Sequence, residues 1–170
     1  MKYPILYKLV CVFAFILLAG SVSGKKPIKT LIVTGQNNHN WQVSNVALKK
    51  IMEQSGRFVV DVAVSPAAGE DMSSFSPNFA AYQLVVVDYN GDSWIEATKQ
   101  NFISFARNGG GIVIYHAADN AFSNWPEFNK ICALGGWEGR DEKSGPYVYW
   151  LDGKLIEDSA PGPGGSHGKQ

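Results

Sequence analysis

Four short apolar runs, rich in β-branched residues, mark the chain at 29–34, 58–64, 84–87 and 112–115. Runs of this length and composition indicate β-strands, and unbroken ones are typical of strands buried on both faces. Apolar residues recur at helical spacing over 43–52, after the first run, and over 95–106, after the third. Strands that alternate with helices predict a doubly wound α/β sheet in which the strands are mainly parallel.

Turn and cap residues suggest where several of these elements begin and end. Three glycines, 109–111, precede the fourth run, which we expect to be a strand buried on both faces. Asp92 or Ser93 is expected to cap the second helix. Pro126 suits the first turn of a third helix, which should run to about residue 134. The Asp-Gly pair at 152–153, between two apolar runs, predicts a C-terminal β-hairpin.

His116 directly follows the fourth run, and two alanines after it leave room around the imidazole. Open α/β sheets bind their ligands outside the carboxyl ends of the strands. If the strands are parallel and adjacent, the loops after the first, third and fourth runs share that edge. Their amides, carboxylates and aromatic rings suit a polyhydroxylated ligand. We therefore predict a small saccharide as the ligand, contacted by Asn38, Trp41, Asp88, Asn90, Asp119, Asn120 and Trp125.

The chain has three histidines, His39, His116 and His167, and each lies in a predicted loop. A histidine cluster supplies a general base near neutral pH or binds a metal. Three separate solvated histidines remain the alternative, because the sequence has neither an HExxH nor a CxxC motif. We predict His116 as the base and His39 and His167 as its catalytic partners. A divalent metal such as zinc, held by all three, is the one cofactor that this set suggests.

Composition and motifs argue against several other classes of function. The formal net charge is zero and no basic block is present, so nothing indicates a nucleic-acid partner. The three glycines precede a strand, whereas the glycines of phosphate-binding and dinucleotide-binding loops follow one. No GxSxG motif is present, which argues against a hydrolase serine elbow.

The first 24 residues have the pattern of a secretory signal peptide. Lys2 and Lys8 precede an uncharged apolar stretch, and small residues follow up to Gly24. The stretch is shorter than the roughly 20 residues that span a bilayer, so no membrane span is expected after cleavage. Only Cys132 then remains, which excludes an intramolecular disulfide and suits a bacterial periplasm. Cys132 itself is expected to be a small buried residue of a helix.

Five segments in the same order resemble the trehalose-utilisation, or ThuA-like, family. The first is the loop after the first strand, at 34–41, and the second is the glycine-rich fourth strand with His116, at 109–118. The other three are Trp-Pro-Glu-Phe at 125–128, Leu-Gly-Gly at 134–136 and Gly-Ser-His-Gly at 165–168. The similarity covers residues 29–170. By this resemblance, the three histidines fall on the characteristic histidines of the family.

The resemblance implies a three-layer α/β/α sandwich around a mainly parallel, flavodoxin-like sheet, with the C-terminal β-hairpin as an excursion. It also implies membership of the class I glutamine amidotransferase-like superfamily. Amidotransferases carry a catalytic cysteine after the corresponding strand, where this chain has His116, so amidotransferase chemistry is not expected. The family's domain usually continues past a motif like 166–170, so the domain at 25–170 is expected to be truncated at its C-terminus.

The ThuA-like family is associated with bacterial use of trehalose and other glycosides, alongside enzymes that oxidise sugars to 3-keto derivatives. The first hypothesis is therefore a periplasmic protein that isomerises, cleaves or hydrolyses a 3-keto-glycoside. The alternative is a non-catalytic module that binds a sugar or a protein on a fold without its nucleophile. Hydrolase or amidotransferase chemistry on Cys132 is the weakest hypothesis, and assembly as a homo-oligomer stays open.

Overall fold

The structure, a computed structural model, describes residues 26–133 and 146–161. The main sheet contains four parallel strands, β1 (Ile28–Thr34), β2 (Phe58–Val64), β3 (Leu84–Val87) and β4 (Gly111–Ile114). Their order across the sheet is β2-β1-β3-β4. This strand order is the beginning of the flavodoxin-like order. Strands β5 (Tyr147–Leu151) and β6 (Lys154–Asp158) pair as the predicted antiparallel hairpin. The α/β fold predicted from the sequence is confirmed.

Helices lie on both faces of the sheet. The α-helices are α1 (Trp41–Gln54), α2 (Glu96–Arg107) and α3 (Pro126–Cys132), and short 3-10 turns occur at Met72–Ser74, Phe79–Ala81 and His116–Asn120. In the described ranges, no helix is both long enough and apolar enough to cross a membrane. The predicted signal peptide, residues 1–24, lies outside the described residues.

The larger core lies between the sheet and helices α2 and α3. Alternate residues of the central strands, such as Val33 and Val87, face this side and are fully buried. An aromatic cluster packs against them around Trp94, whose ring lies 5.0 Å from that of Phe122 and 5.6 Å from that of Phe102. Burial of so many aromatic side chains makes this side the main source of hydrophobic stability.

Helix α1 covers the other face of the sheet more loosely, and none of its side chains is buried. Leu48 and Met52 pack against a small group centred on Ile32. An ion pair of 2.7 Å joins Lys49 to Glu53. The Lys49 ammonium also donates a hydrogen bond to the Val60 carbonyl, and the Glu53 carboxylate accepts one from the Val60 amide. These polar bonds fix α1 against β2.

Two sequence-based predictions of local structure are wrong. Strand β4 is an edge strand among the described residues, and Val113 on its α1-side face is 45% exposed, so this strand is not buried on both faces. Helix α2 begins at Glu96 after Ile95, and neither Asp92 nor Ser93 caps it. The Asp92 carboxylate instead accepts a hydrogen bond of 2.6 Å from the Gly69 amide, which ties two loops together.

Candidate functional site

The loop after β1 and the turn after β4 bring two histidines together at the carboxyl edge of the sheet. The ring centroids of His39 and His116 lie 4.6 Å apart, and the ring planes are inclined by 37°. Both side chains are exposed. The structure therefore gives two of the three predicted histidines one location, and His167 lies outside the described residues.

His116 occupies an unusual backbone conformation. Its φ of +48° lies in the left-handed region, which residues other than glycine rarely adopt. The amide of Ala118 donates to the carbonyl of Tyr115 at 3.1 Å and closes the turn around the histidine. Backbone strain of this kind costs about 1–3 kcal/mol and concentrates at functional sites. The turn thus holds the imidazole out over the sheet edge.

The carboxylate of Asp88 lies beside the histidine pair, at the end of β3. Its side chain is buried and accepts hydrogen bonds from the Ser44 hydroxyl at 2.6 Å and the Asn37 amide at 3.2 Å. Burial raises the pKa of the Asp88 carboxyl above its ordinary value. The hydrogen bonds from Ser44 and Thr34 and the charge of His39 lower this pKa, but their effect is smaller than that of burial. Asp88 is thus a buried anchor for the groups around it.

Asn37 connects Asp88 to the histidine loop. While its amide nitrogen donates to Asp88, its Oδ1 accepts from the backbone amide of His39 at 3.0 Å. On the other side of the loop, the Asn40 side chain caps α1 by accepting from the Val43 amide at 3.2 Å. The position of His39 is therefore set from both ends of a short loop.

Two neighbouring cavities open at this edge. The first, of about 180 Å³, contains the histidine pair and is lined by Asn37, His39, Ser44, Asp88, Tyr115, His116 and Ala117. The second, a polar cleft of about 230 Å³, is lined by Asn90, Gly91, Ser93, Lys99, Asn120, Phe122, Ser123, Asn124 and Trp125. A hydrogen bond of 3.3 Å from the Asn90 amide to Asn38 Oδ1 connects the wall of the second cavity to the loop that carries His39. We call them the histidine cavity and the polar cleft.

The scan against family models finds no match, and neither does the search of curated proteins. Among solved structures, the chain is similar to a crystal structure of a ThuA-like protein from Parabacteroides merdae, with 71% identity and a TM-score of 0.80. The match covers 85% of this chain and 52% of the other, so the chain spans about half the length of that protein.

This chain belongs to the ThuA-like family. The resemblance found in the sequence is thereby confirmed, together with the parallel sheet that it implied. Roles for individual residues of the ThuA-like chain remain predictions, because the similarity in overall fold assigns none of them.

The predicted saccharide contacts of the ThuA-like chain fall into three groups. Asn90 and Asn120 line the polar cleft, and Asn38 borders it through its bond to Asn90. Trp41 and Asp119 line neither cavity. Asp88 and Trp125 are almost entirely buried, yet each lines a cavity, Asp88 the histidine cavity and Trp125 the polar cleft. Asp88 also anchors a hydrogen-bond network and the Trp125 ring packs on Phe128, so their roles as saccharide contacts stay predictions.

The described residues do not by themselves complete a metal site. Within 26–133 and 146–161, no group of three or more His, Cys, Asp and Glu side chains is placed to hold a metal ion. His39 and His116 supply two imidazoles, whereas zinc usually takes at least three protein ligands. The third predicted ligand, His167, lies outside the described residues, so metal binding stays a prediction.

Cys132 does not provide a nucleophile for the ThuA-like chain. It lies at the end of α3, away from the turn after β4 in which amidotransferases would carry their cysteine. Burial, together with the charge of Asp119, raises the pKa of its thiol to about 12. The thiol is therefore protonated near neutral pH, whereas the nucleophilic form of cysteine is the thiolate.

We expect the buried carboxylate of Asp88 to make the stability of the fold depend on pH. Because its folded-state pKa is raised, the folded protein holds the Asp88 proton more tightly than the unfolded chain does. This contribution is fully present below the unfolded pKa of about 3.9 and is lost as the pH rises through the folded value. Asp88→Asn removes the titrating group. In urea unfolding, the stability of the wild type relative to Asp88→Asn should therefore fall as the pH rises above about 4.

Asp61→Asn is the matched control, because Asp61 is an exposed carboxylate of β2. It reports the general effect of removing one negative charge from the protein. If the difference in unfolding free energy between the wild type and Asp88→Asn stays constant across this pH range, burial does not raise the pKa of Asp88.

Proposed function

We propose that this ThuA-like chain acts on a saccharide at the histidine cavity, and that the reactive form of the saccharide is a 3-keto-glycoside. The observation that carries the proposal is the pair of exposed imidazoles 4.6 Å apart at the carboxyl edge of the sheet. Such a pair suits chemistry that needs one group to accept a proton while a second donates one.

The carbonyl of a 3-keto-glycoside makes the hydrogen on carbon 2 acidic. In the proposed reaction, neutral His116 removes that proton, and the electron pair of the C–H bond moves into the C2–C3 bond. Protonated His39 donates a proton or hydrogen bond to the carbonyl oxygen, which gains the negative charge. Return of a proton gives exchange or isomerisation. For elimination, the enolate re-forms the C3 carbonyl, the C2–C3 electron pair moves into a C1–C2 double bond, and the C1–O bond breaks. The departing glycosidic oxygen takes up the proton that His116 accepted.

The surroundings of the pair support this assignment of roles. Asn37 and the buried carboxylate of Asp88 fix the loop that carries His39, and the charge of Asp88 lies near that imidazole. A carboxylate beside an imidazole can orient the ring and the N–H group that it donates. His39 is therefore the better candidate for the proton donor, and His116, on its own turn, is the better candidate for the base.

Deuterium exchange tests the proposal directly. The 170-residue chain is incubated in D₂O with 3-keto-trehalose or with trehalose, and the carbon-2 proton is followed by NMR. We expect exchange well above the buffer rate for 3-keto-trehalose only, with none for the His39→Asn/His116→Asn double variant. Exchange at the buffer rate, with 3-keto-trehalose shown to be bound, would replace this proposal with the alternative of a non-catalytic binding module, which the polar cleft also supports.

We further propose that the protein works in a bacterial periplasm. The support is the signal-peptide pattern of residues 1–24 and the single cysteine that remains after its removal. A free small saccharide is the partner expected there.

A further inference from the structure

We propose that the polar cleft binds a sugar unit that carries a carboxylate, and that Lys99 recognises this carboxylate. The inference rests on the proposed function, because it places the saccharide at the same edge of the sheet. It adds the chemical class of the ligand, a uronic acid unit, and a residue that determines specificity.

In the part of the chain that the structure describes, Lys99 is the only charged side chain that lines the cleft. It lies in the first turn of α2 and is half-buried. Within the described part of the chain, no carboxylate lies within ion-pair distance of it. The acidic side chains closest to it along the sequence are bonded elsewhere, Asp92 to the Gly69 amide at 2.6 Å and Glu96 to Gln100 at 2.6 Å.

The ammonium group of Lys99 is held at the cleft by an aromatic ring. Its Nζ lies 5.7 Å from the centroid of Trp125. That ring is only 5% exposed and packs on Phe122 and Phe128, each at 5.3 Å, so it is a rigid platform. A cation–π contact of this kind orients the ammonium without neutralising its charge. The charge is therefore free to pair with an anion in the cleft.

The neutral lining of the cleft suits the hydroxyl groups of a sugar. It combines three amide side chains with two hydroxyls, from Asn90, Asn120, Asn124, Ser93 and Ser123. The Oδ1 atom of Asn120 is buried and has no hydrogen-bond partner among the described residues. A buried acceptor without a partner is destabilising, and a sugar hydroxyl that donates to it removes this cost.

The cleft and the histidine cavity are close enough for one ligand to occupy both. The 3-10 turn begins with His116, in the histidine cavity, and ends with Asn120, in the cleft. Four residues of 3-10 helix rise by about 8 Å, which is on the scale of one saccharide unit. A disaccharide or glycoside can thus place one unit at the histidines and a second, anionic unit beside Lys99.

The single charge favours a carboxylate over a phosphate. One ammonium balances one carboxylate, whereas a phosphate monoester brings a charge of about −1.5 to −2 at neutral pH and needs further cations. Among the described residues, no second cation lines the cleft. Charge-assisted hydrogen bonds to a lysine contribute about 1.5–3 kcal/mol, which corresponds to a preference of about 10-fold to 100-fold.

Calorimetric titration of the 170-residue chain with glucuronate, glucose and glucose 6-phosphate tests the inference. We expect glucuronate to bind at least about 10-fold more tightly than glucose at low salt, and more tightly than glucose 6-phosphate. Lys99→Met should abolish the preference for glucuronate, and Lys99→Arg should keep part of it. Lys50→Met, which removes an exposed lysine from α1, is the matched control and should keep all of it.

His116→Asn separates this inference from the proposed function. It removes the proposed base and leaves the cleft intact, so the preference for glucuronate should persist in it. Equal binding of glucose and glucuronate, a preference that survives Lys99→Met, or tighter binding of glucose 6-phosphate would each overturn the carboxylate assignment. If deuterium exchange fails while the preference for glucuronate persists and still depends on Lys99, only the proposed chemistry is overturned.

Discussion

Replacing His116 with asparagine is expected to slow deuterium exchange at carbon 2 of a 3-keto-glycoside by about 10²-fold to 10⁴-fold, the usual contribution of a general base. Asparagine is chosen because the backbone of His116 has a φ of +48°, a conformation that asparagine tolerates better than most residues. The variant therefore removes the imidazole and keeps the turn. Exchange rates are compared at saturating ligand, with circular dichroism as the check on folding.

His116→Ala and His39→Asn complete the comparison. His116→Ala should lose the same activity with only a small further loss of stability, because histidine already bears the cost of a left-handed φ at this position. His39→Asn should lose less than His116→Asn, because it removes the group that stabilises the oxyanion and leaves the base. An exchange rate for His116→Asn within a factor of about three of the wild type would remove His116 from the chemistry.

Gly35→Ala is expected to destabilise the fold by about 3–5 kcal/mol. Gly35 directly follows β1 and has a φ of +124°, a conformation that residues with a side chain rarely adopt. A Cβ atom there would lie 2.5 Å from the amide nitrogen of Ser65 and 2.9 Å from its carbonyl oxygen. Ser65 also donates to the Thr34 carbonyl at 2.8 Å, so relief of the clash would separate β1 from the end of β2. Urea unfolding measures the loss.

Gly56→Ala is the matched control for this substitution. Gly56 also has a positive φ, of +67°, but no atom lies within 4 Å of the position of its Cβ. It should cost only the backbone strain of about 1–2 kcal/mol. If the two variants lose equal stability, the contact with Ser65 does not constrain the end of β1.

Sequence patterns were sufficient to predict the sheet and the edge at which the histidines meet. His39 and His116 each follow an apolar parallel strand, and the carboxyl ends of such strands lie at one edge. The 4.6 Å separation was not predictable, because β1 and β4 are not neighbours but flank β3. Only the strand order and the left-handed turn at His116 bring the two rings into contact.

The burial of Asp88 and Trp125 could not be read from their sequence context either. Asp88 follows an apolar strand like many ligand-binding carboxylates, but the Ser44 hydroxyl reaches it from α1, an element distant in sequence. Trp125 stands in a polar loop, yet it joins the core because α3 packs Phe128 beside it. Lys99 carried no signal in the sequence, since a lysine near the start of a helix is ordinarily solvated. Long-range packing decides each of these cases.

We propose that His39 and His116 form one saccharide site. NMR of the two imidazole rings during titration with 3-keto-trehalose tests this most directly, with single His→Asn variants to assign the signals. Both sets of ring resonances should shift together and saturate with a single dissociation constant. Ring resonances that stay fixed while the sugar binds, or that saturate with two different constants, would contradict it.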